Sequence, residues 1–86
     1  MAIGARLEAK LSKRYPPETR LDEEFGRHAI TFITNADGDP VTLFIGQRNP
    51  DGTIRGERYA RKLLLDPASG RVVKSHWDLK GRTERG

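Results

Sequence analysis

His76 and Asp78 stand two residues apart in a run, Lys74-Ser75-His76-Trp77-Asp78-Leu79-Lys80, that reads as a β-strand. Alternate residues of a strand share a face. Lys74, His76, Asp78 and Lys80 are therefore presented together. A histidine, a carboxylate and neighbouring cations are the requirements of metal-independent RNA cleavage: a base, an acid, and positive charge to stabilise the phosphorane. By that analogy of chemistry, His76 and Asp78 are the candidate catalytic residues of a small RNase-like toxin. The commoner role of such a pair is a surface histidine beside a core tryptophan. Trp77 is in phase with Val73 and Leu79 and is expected to be buried.

A broader basic set surrounds this pair. Arg48, Arg58, Lys62, Lys74, His76 and Lys80 fall in phase on candidate strands, with Phe44 among them and Phe32 as a second aromatic candidate. Basic side chains at alternate positions are spaced about 7 Å apart along a strand. A polyanion can follow such a surface, and exposed aromatics can stack on bases. Long basic side chains also cover an exposed sheet face with their methylenes, so charge pattern alone does not prove a partner. Phe44, Ile54, Leu64 and Val72 are apolar enough on that face to favour self-association as a rival use. A face buried in a homodimer cannot also bind RNA or DNA.

Other chemistry is excluded by what is missing. The 86 residues contain no cysteine and only two histidines, His28 and His76. That leaves no disulfide, no Cys-based zinc site and no His-rich metal site. Asp37, Asp39 and Asp51 occupy turn sequences, where Asp is favoured by local hydrogen bonding, and they do not follow calcium-loop spacing. No phosphate-cradling glycine loop and no nucleophile elbow is present, so no cofactor and no metal is expected. His28 reads as structural or solvent-facing, and Asp22-Glu23-Glu24 as a solvated acidic surface. The formal net charge is +4, from 16 Lys+Arg against 12 Asp+Glu. Both signs are well mixed, which by itself means a soluble surface. No N-terminal signal pattern or membrane-length apolar run occurs, so a cytoplasmic protein without a membrane partner is expected.

The elements that position these residues follow from pattern. Ile3, Leu7 and Leu11 recur at helical spacing, and Pro16-Pro17 stops the helix, which should run from about residue 2 to about residue 14. Residues 18–26 are ambiguous. Pro17, the acids and Gly26 are compatible with a short helical turn, whereas Leu21, Glu23 and Phe25 alternate like an edge strand. An irregular or short helical turn is expected there. Strands are expected over 28–34, 41–45, 53–65 and 71–80, separated by turns at 35–40, 49–52 and 66–70. The expected fold is α+β: one N-terminal helix packed on one face of a four-stranded antiparallel β-meander, a single domain over 1–80, with 81–86 as a flexible C-terminal tail.

Strand alternation assigns the faces. With Pro50-Asp51-Gly52 as a loop, Leu43 opposes Tyr59 and Phe44 opposes Arg58. Val41, Leu43, Ile45, Tyr59, Leu63 and Leu65 form the apolar face beneath Ile3, Leu7 and Leu11. Matching Trp77 to Tyr59 places Lys74, His76 and Lys80 beside Arg58 and Lys62 on the open face. A four-residue loop would reverse this parity, so the match requires a five-residue loop or a bulge. The expected function is a small non-enzymatic binding module that engages nucleic acid through this face. A protein-interaction or homodimeric module is the alternative.

Overall fold

The computed structural model describes residues 4–83. A short helix, α1 (Ala5–Leu11), precedes five strands: β1 (Arg20–Phe25), β2 (His28–Thr34), β3 (Pro40–Arg48), β4 (Ile54–Leu65) and β5 (Val72–Thr83). They form one antiparallel meander in the order β1-β2-β3-β4-β5. The α+β class and the meander are as expected. The sheet has five strands, and the expected count of four is corrected by β1.

Residues 20–25 form an edge strand and not a helical turn because β2 offers them a ladder. Leu21 faces Phe32 and Glu23 faces Ile30 across it. Gly26, at φ 62°, turns the chain within two residues. At the entry to β1, the Thr19 N–H donates to Thr34 Oγ1 at 2.9 Å and the Thr34 N–H to the Thr19 carbonyl at 3.0 Å. The half-buried alternation of β1 is satisfied only as a strand.

The helix is shorter than its periodicity implies. Leu7 and Leu11 are buried as expected, while Ile3 lies outside the described residues. After Leu11 the turn tightens: the Ser12 N–H donates to the Ala9 carbonyl, and the Ser12 hydroxyl to the Glu8 carbonyl at 2.7 Å. The chain then leaves to dock Tyr15, whose ring meets Phe32 edge-on at 4.9 Å. Its hydroxyl donates to the Lys10 carbonyl. A tertiary contact thus claims residues that local propensity alone would leave helical.

The core sits between α1 and one sheet face: Leu7, Leu11, Ile30, Phe32, Leu43, Tyr59 and Trp77. Phe32, a candidate for the open face, is fully buried here, because its partner Leu43 fixes it on the helix side. Val41, expected on the apolar face, is the unopposed residue of a bulge between Ile33↔Thr42 and Thr34↔Pro40, and it is half-buried outside the core cluster. Two further bulges lie in β4–β5, one leaving Val73 and the other Lys80 without an opposite residue. The first supplies the parity change that places Trp77 on the face of Tyr59. β5 also continues past residue 80 through Gly81 and Arg82 to Thr83, so this part of the expected tail is strand. Residues 84–86 lie outside the described residues. Among the described residues no helix is long and apolar enough to cross a membrane.

Candidate nucleic-acid interface

The β3–β4 ladder ends at Thr42↔Ala60, whereas β4 continues to Leu65 paired only with β5. Arg61–Leu65 and its partner segment therefore leave the sheet as a two-stranded ribbon. Lys62 is opposite His76 and Leu64 is opposite Lys74. Directly opposite residues have Cβ atoms about 4.5–5.5 Å apart, so these four side chains form one cluster. Ala60↔Asp78 and Arg58 continue the same face toward the sheet. Arg58, Lys62, Lys74 and His76 are exposed. Among the described residues, Arg58, Lys62 and Lys74 have no ion-pair partner. A shallow hollow of 560 Å³ opens between Lys62, Leu64, Val73, Lys74 and His76.

His76 and Asp78 do meet: His76 Nε2 lies 2.8 Å from Asp78 Oδ1. The imidazole is 73% exposed, a solvated position and not a cleft. Lys80 sits at its bulge, exposed and outside the regular alternation.

Arg48 and Phe44 share this face but serve the fold. The Arg48 guanidinium donates to the Ile30 carbonyl at 2.9 Å, the Gly52 carbonyl at 3.0 Å and Thr31 Oγ1 at 3.1 Å. Asp22 Oδ1 lies a further 3.4 Å away. This strut ties the β3–β4 loop down over the sheet, with help from Arg20, which also donates to the Gly52 carbonyl. On the same face Ile54 is fully buried, and Phe44 is only 8% exposed. Arg48 is engaged by these hydrogen bonds and Phe44 is buried, so neither is presented to a partner in the way the charge pattern implies.

The acidic run is likewise employed. Asp22 accepts from Thr31 Oγ1 at 2.6 Å. That hydrogen bond, with Arg20 and Arg48 beside it, holds the carboxyl below the usual carboxylate range despite some burial. Glu23 pairs with Lys10 of the helix, and the contact raises the lysine above its ordinary value. These two acids keep solvent access and in addition make specific contacts within the fold.

A second cavity, of 970 Å³, lies on the helix side near the start of α1. Leu7, Phe25, Ile45 and Tyr59 supply its apolar wall, and Arg27, His28, Arg55, Glu57 and Arg82 surround it. The Tyr59 hydroxyl donates to Glu57 Oε1 at 3.2 Å. Burial foremost, with Glu57 beside it, pushes that hydroxyl above its ordinary value. Sequence reasoning did not single out Arg55, Glu57 and Arg82. Arg55 and Glu57 continue the Tyr59 alternation toward the start of β4, whereas Arg82 reaches this face only because the bulge at Lys80 reverses the parity of β5. Among the described residues no cluster of three His, Asp or Glu side chains could hold a metal. Comparison with family models, curated proteins and solved structures finds no match for this chain.

Proposed function

We propose that this protein is a small non-enzymatic binding module that engages nucleic acid through the open face of its β4–β5 ribbon. One observation carries the reading: Lys62, Lys74 and His76 are exposed together on one side of a ribbon that extends past the rest of the sheet, and Arg58 continues that exposed face onto the sheet. Phosphate neutralisation by such a set releases counterions and dominates affinity. A two-stranded ribbon also fits the major groove of B-form DNA, about 12 Å wide, whereas the major groove of A-form RNA is too narrow for side-chain reading. Duplex DNA is therefore the preferred partner within the class. With Phe44 buried, recognition rests on charge and not on aromatic stacking.

The test is a titration of labelled duplex DNA, single-stranded DNA and RNA at low salt, followed by anisotropy and by amide chemical shifts. Shifts confined to β4 and β5 with steep salt dependence support the reading. Absence of binding at low salt overturns it. Breakdown of the RNA during the titration would instead favour the RNase-like alternative, with His76 and Asp78 as its residues.

A second reading has its own observation. Leu64 is 54% and Val73 56% exposed at the same end of the ribbon, and β5 is an edge strand. Exposed apolar groups beside an unpaired ladder favour pairing with a second copy or another protein. Sedimentation showing a monomer at high concentration would remove the homodimer.

A further inference from the structure

We propose that the cavity near the start of α1 is a binding site for a small amphiphilic anion, an organic acid with an apolar body and one carboxylate. Its volume of 970 Å³ lies at the upper end of the range typical of small-molecule sites, about 300–1,000 Å³. The wall is apolar. Leu7 and Tyr59 are buried beneath it, while Phe25 and Ile45 remain half-buried and face the open volume. Leaving such surface wet is unfavourable, and an apolar ligand body removes it from water.

The rim selects the charge. Arg27, Arg55 and Arg82 surround the opening, and among the described residues none of them has an ion-pair partner. The one carboxylate there, Glu57, accepts the Tyr59 hydroxyl. Three guanidinium groups against one carboxylate leave an excess of positive charge at the mouth. Guanidinium forks match a carboxylate in a bidentate geometry that an ammonium group does not reproduce. An anion with an apolar tail satisfies wall and rim together. A neutral apolar molecule satisfies the wall alone, and a naked inorganic anion the rim alone.

The backbone helps to shape the floor. Gly46 and Gly56 face each other across β3 and β4 and both line the cavity. A Cβ at Gly46 would lie 2.2 Å from the Arg55 carbonyl oxygen, and one at Gly56 2.1 Å from that of Ile45. Only glycine permits two strands to approach this closely. The site lies on the opposite side of the sheet from Lys62 and Lys74, so it is independent of the ribbon.

The experiment compares octanoate with 1-octanol on the full chain, by amide chemical shifts, for the wild type and for an Arg55→Gln/Arg82→Gln variant. The expected result is shifts centred on Ile45, Gly46, Gly56 and Tyr59, with octanoate binding about tenfold tighter than octanol. In the variant that preference should collapse while octanol binding persists, which also shows that the variant is folded. Equal binding of the two probes by the wild type, shifts elsewhere, or no binding of octanoate would overturn the proposal.

Discussion

Arg61 and Lys62 are neighbours in β4 and face opposite sides of the ribbon. The Arg61 guanidinium donates to the carbonyls of Leu11 and Pro40 at 3.0 and 3.1 Å and lies 5.6 Å from the centre of the Trp77 ring. It closes the end of α1 and joins the helix to the sheet. Lys62 points the other way, toward His76, and is exposed. One residue is structural and the next is free to meet a partner.

Replacing Arg61 with Met should leave the Leu11 and Pro40 carbonyls without this donor and cost about 1–3 kcal/mol. Lys62→Ala should change stability by less than about 0.5 kcal/mol. Urea unfolding of both variants checks the contrast. Equal effects would show that the two residues are not divided in this way.

Neutralising Lys62 and Lys74 together should weaken DNA binding for every sequence tested. The slope of log affinity against log salt should become shallower by about one for each lysine that meets a phosphate. An unchanged slope would place the partner elsewhere on the molecule.

Gly46→Ala and Gly56→Ala should each be strongly destabilising, by at least about 2 kcal/mol, because the added methyl group meets backbone and not a movable side chain. Thermal denaturation reads this directly. Gly52→Ala is the control for conformation without contact, since φ there is 93° but no atom lies near its Cβ.

Asp22 gives the acid limb of stability a specific origin. Its carboxyl titrates below the ordinary value in the fold, where Thr31 and Arg20 bind the charged form. The stabilisation is therefore fully present above the ordinary carboxylate pKa and is lost as pH falls through the lowered one. Asp22→Asn should flatten the pH dependence of stability below about pH 4 and leave the dependence near neutrality unchanged. Unfolding curves across this range would contradict the assignment if wild type and variant ran parallel.

Alternation and turn composition in the sequence by themselves determined four of the strands, the hairpin order and the pairing of Leu43 with Tyr59, because period-2 patterns and tight turns are local physics. They also placed Lys62, Lys74 and His76 on one face, once hydrophobic matching of Trp77 demanded a bulge. Only the tertiary structure decided the rest. Residues 20–25 became strand because β2 had a free ladder edge, which composition cannot announce. Phe32 went under the helix because Leu43 did. Arg48 was withdrawn from the open face by its hydrogen bonds to Ile30 and Thr31 of β2 and to Gly52 of its own hairpin, and Phe44 is buried beside Thr31, arrangements that alternation does not encode. The arginine-rimmed cavity likewise joins α1, the β1–β2 turn and the ends of β3, β4 and β5, and no local pattern spans those segments.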